Sequence, residues 1–346
     1  MTANAVLTRA IDGLAGRADL ASEETAAVLR EIMEGRASEP EIAAFLIALR
    51  TKGETAAELV GLARIMRALA TPVAVRHGDL LDTAGTGGGR ATFNVSTTAA
   101  LVAAGAGCAV AKHGNRSATS RSGSADVLEA LGARIDLGPA AVAECIDEVG
   151  FGFMFAPAHH SATRYVVPVR RALGVRTIFN FLGPLTNPAG ATRQLIGVAD
   201  GGYLETIAAA LLELGARSAL VVSSEDGLDE ISASGATRVV EVRDGSTESY
   251  RLSPEQLGIE PVPLDSVPAG TPVENADVLR RVLAGDPGPA RSLTVVNAAG
   301  AIYVAGATAT LTDGARAAEK ALDSGAAERV LEAYVERTQA LAPTAA

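Results

Sequence analysis

Apolar and polar positions follow two rhythms along this chain, and the change from one to the other divides it. From residue 7 to 70 the apolar positions fall three and four apart, the spacing of amphipathic helices. Val28, Leu29, Ile32 and Met33 form one such face, with Ser22 expected as its cap, Glu23 and Glu24 in the first turn, and Gly35 as its terminator. Ser38-Glu39-Pro40-Glu41 reads as a capping box with a proline in the first turn, ahead of Ile42, Phe45, Leu46 and Leu49. Thr55 to Glu58 repeats the device before Leu59, Leu62, Ile65, Met66 and Leu69, and Pro72 marks a boundary.

From Leu80 onward short apolar runs alternate with helical stretches. Strands are expected at Leu80-Leu81 and over 109–111, 153–155, 195–198, 219–222 and 238–242. Helices are expected over 125–131 and 202–214 and from about 275 to the end. Such alternation predicts a mainly parallel sheet covered on both faces. The expected fold class is therefore α/β: a small N-terminal all-helical domain plus a larger α/β domain with a mainly parallel central sheet. The first domain is drawn at 1–72, joined by part of 163–185, and the second at 73–346. Residues 243–272, rich in Ser, Pro and Gly, read as an exposed connection.

Composition sharpens this picture. Hydrophobic residues make up 48% of the chain but aromatic ones only 3%, so small side chains do much of the packing and helices are expected to lie close together. The net charge of −10, with no basic tract, argues against a duplex nucleic-acid binder, which needs a basic face. No apolar run reaches the roughly 20 residues of a membrane span, and no secretory leader is legible at the start. Cys108 and Cys145 lie in apolar surroundings without metal-type spacing and read as buried, reduced thiols, which predicts a cytoplasmic protein. Of the 30 Lys and Arg residues only Lys52, Lys112 and Lys320 are lysines, which makes Lys112, in a polar loop, more informative.

The candidate chemistry sits in loops that follow strands, where open α/β sheets place their ligands. The first is Gly85-Thr86-Gly87-Gly88-Gly89-Arg90-Ala91-Thr92-Phe93-Asn94-Val95-Ser96-Thr97, a glycine turn running into a helix start. Glycines permit positive φ and close ligand approach, and the helix start adds free N–H groups, so the stretch reads as a phosphate cradle. Its spacing is neither that of a Walker loop nor that of a dinucleotide fingerprint. The second is Lys112-His113-Gly114-Asn115-Arg116-Ser117-Ala118-Thr119-Ser120, followed by Ser122-Gly123-Ser124-Ala125-Asp126, whose two cations and many hydroxyls suit another phosphate group. The third, Ser224-Glu225-Asp226-Gly227-Leu228-Asp229-Glu230, offers adjacent carboxylates for Mg²⁺. Two cradles and a carboxylate pair together describe a pyrophosphorylated substrate neutralised by Mg²⁺. A fourth segment, 165–188, carries Arg170, Arg171 and Arg176 in an apolar setting, and one of them suits a substrate carboxylate. His159 and His160 read as packing or surface.

In combination these motifs resemble the anthranilate phosphoribosyltransferases of tryptophan biosynthesis. Gly85-Thr-Gly-Gly, Asn94-Val-Ser-Thr97, the 112–126 motifs, 170–188 and Asp226-Gly-Leu-Asp-Glu230 carry the likeness, which runs from about Leu7 to the final helix. The resemblance implies a fold of nucleoside phosphorylase/phosphoribosyltransferase type, a homodimer joined through the helical domain, and transfer of phosphoribosyl from its pyrophosphate to anthranilate. It implies that phosphoribosyl pyrophosphate meets Gly85, Gly88, Gly89, Thr92, Asn94, Val95, Ser96, Thr97, all of Lys112 to Ser120, and Ser124. It puts two Mg²⁺ ions at Ser96, Asp229 and Glu230, and anthranilate at Gly85, Asn115 and Arg170, and it names no general base. One departure stands out. The family usually reads Gly-Thr-Gly-Gly-Asp-Gly before its Thr-x-Asn, whereas here the aspartate is missing and the loop is one residue shorter, with Arg90 nearby. The expectation is that pyrophosphate binding leans on Arg90 and that dependence on Mg²⁺ is altered. Competing readings are a nucleoside phosphorylase of the same fold, a non-catalytic nucleic-acid-binding relative, and a transferase for another aromatic amine.

Overall fold

The structure is a computed structural model that describes residues 3–117 and 121–342. Its first helices are Ala5–Ala15, Ser22–Met33, Glu39–Lys52 and Ala56–Leu69. Their buried faces are the apolar sets expected from spacing, among them Leu29, Ile32, Phe45, Leu46, Leu59 and Leu62. The capping boxes form: Glu41 accepts the Ser38 N–H at 2.8 Å, and Glu58 accepts that of Thr55 at 2.8 Å. The expected cap at Ser22 does not. That residue already belongs to the helix, Ala21 is the cap, and Glu24 accepts the Ala21 N–H at 2.9 Å. The second and fourth helices cross so closely that a side chain at Gly61 would overlap the Ser22 carbonyl and the Thr25 hydroxyl.

Residues further along join this helical layer. Val166, Val169, Ile178 and Phe181, from the 161–185 region, share one buried cluster with Leu29 and Phe45. That cluster continues onto one face of the sheet through Ile196, Val198, Val221 and Val240.

The sheet has seven strands: β1 (Leu81–Asp82), β2 (Val110–Gly114), β3 (Phe151–Phe155), β4 (Arg193–Gly197), β5 (Ser218–Ser224), β6 (Thr237–Arg243) and β7 (Ser246–Leu252). Their order is β3-β2-β1-β4-β5-β6-β7, parallel from β3 through β5 and antiparallel beyond. Period-two alternation feeds two cores. In β5, Ala219 and Val221 face the helical-domain side, while Leu220 and Val222 face the opposite cluster. That second cluster is roofed by the helices Val95–Gly105, Pro289–Val304, Leu311–Asp323 and Ala326–Leu341. Small residues set the spacing there, as the composition implied: Gly314 lies directly on the Ala299 backbone. Both cysteines are buried and free, and among the described residues no helix is long and apolar enough to cross a membrane.

A second expectation fails. Residues 246–252 are not a loop but strand β7, joined to β6 through Asp244 and Gly245 with φ of 50° and 76°. Two consecutive positive φ values make the tight hairpin turn whose sequence signal is Asp-Gly. The polar run Ser-Thr-Glu-Ser hides the strand because it is an exposed edge that buries little beyond Leu252.

Candidate active site

The strand order reverses between β1 and β4: the chain leaves β1 for β2 on one side and returns to β4 on the other. Open α/β sheets bind ligands at such a switch point, outside the carboxyl ends of the strands. The glycine loop leaves β1 there. Thr86 donates its N–H to the Gly197 carbonyl at 2.8 Å, and the Arg90 N–H reaches the Gly227 carbonyl at 2.7 Å. The loop therefore spans from β1 across β4 to the acidic loop after β5. Gly87 and Gly88 hold φ of 67° and 87°, a left-handed backbone that other residues rarely adopt.

The acidic loop sorts its own carboxylates. Asp226 accepts the Ser232 hydroxyl at 2.6 Å and bonds Ser224, and Glu225 pairs with Arg251. Asp229 turns to the glycine loop instead, and both Asp229 and Glu230 are half-buried. A side chain at Gly89 would overlap the Asp229 carboxylate. Burial raises the Asp229 carboxyl above the usual range, against the pull of the Gly89 and Gly87 N–H groups and the Arg176 charge. Glu230 is raised well above the usual range by burial and by Asp229, with Lys112 opposing. No hydrogen-bond partner of Glu230 is found among the described residues.

Lys112 lies under the cradle rather than in it. Its Nζ donates to the Thr83 carbonyl at 2.7 Å and the Thr83 Oγ1 at 3.1 Å, and sits 3.4 Å from the Ser96 Oγ. Only 1% of the residue is exposed, and burial pushes the ammonium down to about 8 against the attraction of Asp82 and Glu230. Asp82 is wholly buried beside it, accepting the His113 N–H at 3.1 Å and the Asn187 amide at 2.8 Å.

The rest of the second loop divides by direction. Strand β2 runs through Gly114, so Lys112 and His113 point to opposite faces of the sheet. The His113 ring therefore does not face the cradle: Nδ1 lies 3.0 Å from the Gly183 carbonyl, and the ring packs 5.2 Å from that of His160. Arg116 does not supply a free cation either. Its guanidinium is taken by Asp126 at 2.9 Å and by Glu129 on the following helix. Asn115 sits at the turn, its carbonyl 3.3 Å from the donating Ala125 N–H. Asp126 also accepts N–H groups from Ser117 and Gly123, which fixes the start of the helix bearing Ser124. Ala118, Thr119 and Ser120 lie outside the described residues.

At the helix start Val95 is buried, Ser96 half-buried and Thr97 fully buried, with no partner for its hydroxyl. Thr92 turns its hydroxyl to the Phe93 carbonyl at 3.1 Å. The Asn94 side chain is engaged by protein: its Oδ1 accepts from the Ser122 hydroxyl and from Asn275, while its amide donates to the Ser122 carbonyl. Asn275 was not legible as part of the site, since only its helix, capped at Thr271, has a sequence signal. Arg90 sends its guanidinium to Asp265.

Arg170 stands at the end of the helix Val167–Leu173, over the Phe179 ring, with Nη2 3.4 Å from the Asn180 Oδ1. Burial lowers its pKa, and no carboxylate pairs with it among the described residues. Further along the same segment Arg176 donates to the Gly87 carbonyl at 3.1 Å, which brings the segment against the glycine loop.

Residues 5–70 match the helical bundle domain of the glycosyl transferase family, and 77–328 its a/b domain. The anthranilate phosphoribosyltransferase of Symbiobacterium thermophilum is 51% identical over 93% of this chain and 95% of its own. That of Rubrobacter xylanophilus is also 51% identical, over 97% and 99%. The chain belongs to the anthranilate phosphoribosyltransferase family. Among solved structures, the family's enzyme from Thermus thermophilus superposes with a TM-score of 0.90 at 45% identity, covering 95% of this chain and 99% of the other. The enzyme of Saccharomyces cerevisiae in complex with PRPP and Mg gives 0.88 at 28% identity, over 98% and 99%. The anthranilate phosphoribosyltransferase fold expected from sequence, helical domain plus mainly parallel α/β domain, is thus the one found. The carboxylate pair fits the magnesium that the family implies: Asp229 and Glu230 are desolvated, lie beside each other, and lack a full-strength cation partner. Among the described residues no cluster of three or more His, Cys, Asp or Glu side chains is placed to hold a metal ion.

Proposed function

We infer that this protein transfers the phosphoribosyl group of 5-phosphoribosyl 1-pyrophosphate to the amine of anthranilate. The products are N-(5-phosphoribosyl)anthranilate and pyrophosphate, a step of L-tryptophan biosynthesis. The observation that carries the reading is a half-buried arginine without a carboxylate, on a segment that touches the glycine loop opposite the Asp229–Glu230 pair. A nucleoside phosphorylase needs neither feature, and the acidic surface speaks against a nucleic-acid binder.

In this reading Gly85, Gly88, Gly89, Thr92, Ser96, Thr97, Ser124 and the backbone of 112–117 line the pyrophosphate and ribose phosphate. Arg170 holds the anthranilate carboxylate in a bidentate pair, with Gly85 and Asn115 beside the ring. Ser96, Asp229 and Glu230 would hold two Mg²⁺ ions, which would supply positive charge against the pyrophosphate. The chain's own part is to hold the amine beside the anomeric carbon in a site arranged in advance, with Lys112 adding fixed positive charge below. The aniline nitrogen attacks as the neutral amine. The His113 ring lies on the sheet face opposite Lys112, against the Gly183 carbonyl, so it is not placed to serve as base.

The protein acts as a cytoplasmic homodimer joined through the helical domain. The exposed apolar Ile47 and Val167, on packed neighbouring helices, support that interface; sedimentation at the mass of one 35.1 kDa chain would refute it. The reaction itself is tested by anthranilate fluorescence with purified protein, phosphoribosyl pyrophosphate and Mg²⁺, omitting each in turn. Loss of signal only in the complete mixture is the expected result. Persistent fluorescence alongside pyrophosphate release with another aromatic amine would change the acceptor.

A further inference from the structure

Four arginines stand in or beside the glycine loop or the loop after β2, and their partners differ: Arg121 faces Glu274 at 4.0 Å. Arg116 is held by Glu129 and Asp126, and Arg90 by Asp265. Arg176 has no carboxylate in ion-pair contact among the described residues. Among the described residues its guanidinium makes one hydrogen bond, from Nη2 to the Gly87 carbonyl at 3.1 Å. The guanidinium lies so close to Gly88 that any side chain there would overlap it. From behind, the backbone is fixed by the helical domain, since Arg50 donates to the Arg176 carbonyl at 3.0 Å. A guanidinium carries five N–H donors in a planar fork, so most of this fork is unspent at the mouth of the cradle.

The opposite wall explains why such a cation can wait there. The Asp229 carboxylate sits against Gly89, where a side chain would overlap it, and one of its oxygens lies 3.5 Å from the place a Cβ on Gly85 would take. An internal carboxylate thus fills the part of the cradle a phosphate would use, and Arg176 lies across the loop from it.

We propose that Arg176 is a further pyrophosphate-binding residue of this site, parked on the Gly87 carbonyl in the free protein and passed to the substrate's pyrophosphate oxygens on binding. The inference rests on the transferase reading above. When Asp229 turns to the metal, the cradle N–H groups are freed and the guanidinium loses its neighbouring negative charge as a polyanion arrives. Paired N–H groups of arginine match phosphate oxygens in a way a lysine ammonium cannot. The role expected of Arg90 from the shortened loop passes to Arg176.

The test is calorimetric titration of phosphoribosyl pyrophosphate with Mg²⁺ into wild type and the variants Arg176→Ala, Arg176→Gln and Arg176→Lys, with steady-state kinetics for both substrates. Arg176→Ala and Arg176→Gln should weaken pyrophosphate-substrate binding about tenfold or more, Arg176→Lys should recover only part, and KM for anthranilate should change less than about twofold. Should the alanine variant not fold, the glutamine and lysine variants carry the comparison. Wild-type affinity in the variants, or equal losses for both substrates, overturns the inference. A wild type that neither binds the substrate nor consumes anthranilate would instead sink the transferase reading itself.

Discussion

Arg170 differs from most arginines of this chain in what it lacks. Arg134, Arg217 and Arg337 each pair with a carboxylate, whereas among the described residues the Arg170 guanidinium meets only a ring and a distant amide oxygen. Arg170→Ala should therefore raise KM for anthranilate about tenfold or more while KM for phosphoribosyl pyrophosphate moves less than about twofold. Equal shifts in steady-state kinetics would deny it the carboxylate. The buried histidines make a second prediction. Burial pushes His160 down to about 4 and His113 to about 3, so the folded chain keeps both neutral while the unfolded chain takes up protons from about pH 6.5. The native state then binds fewer protons, and stability falls as pH drops from about 6.5 towards 4, by up to about 3 kcal/mol for His160. Asp82, raised by burial, works in the opposite direction over the acid part of that range. Melting temperatures between pH 7.5 and 4.5 should decline more steeply in wild type than in His160→Gln; parallel curves would remove His160 from the acid response. At this scale the sequence showed which residues are unusual but not where they point. His113 reads as a ligand until β2 is seen to run through it, and Arg116 reads as a free cation until the next helix brings up Asp126 and Glu129.

The short glycine loop is the element on which the site turns. The aspartate that the family resemblance leads one to expect there is missing, and Gly89 is pressed against the Asp229 carboxylate. Gly89→Ala places a methyl group where that carboxylate lies, so kcat/KM for phosphoribosyl pyrophosphate should fall about tenfold or more with little change in melting temperature. Kinetics equal to wild type would mean the loop and Asp229 part without cost. The elements with strong periodicity were legible: three of the first four helices, and six of the seven strands to within a few residues. Those that depend on neighbours were not. Strand β7 owes its existence to β6 and an Asp-Gly turn, and the helix start at Ser22 moved one residue because Glu24 serves the Ala21 N–H without needing a side-chain cap.

For the whole molecule, the two domains are joined by more than their covalent link. Tyr203, beside the sheet, donates to Glu54 of the helical domain at 2.7 Å and packs on Phe181 with ring centroids 4.4 Å apart. Arg67 donates to the Leu185 and Leu214 carbonyls at 2.7 and 3.1 Å. Tyr203→Phe keeps the ring and strips the bond from a Glu54 that is only 7% exposed, which should cost about 1–2 kcal/mol in urea denaturation. An unchanged midpoint would show that Glu54 finds another partner. No sequence pattern announces this seam, because its members lie 149 residues apart. The scarcity and burial of lysine carry a practical consequence. Lys112 is locked under the cradle and Lys52 is held by Asp19 and Glu58 with 4% of its side chain exposed, which leaves Lys320 as the one exposed lysine. Besides the α-amine, amine-directed dyes, cross-linkers and resins will therefore find one lysine side chain on each folded chain, on the helix Leu311–Asp323, so labelling reports on two defined points rather than on the whole surface.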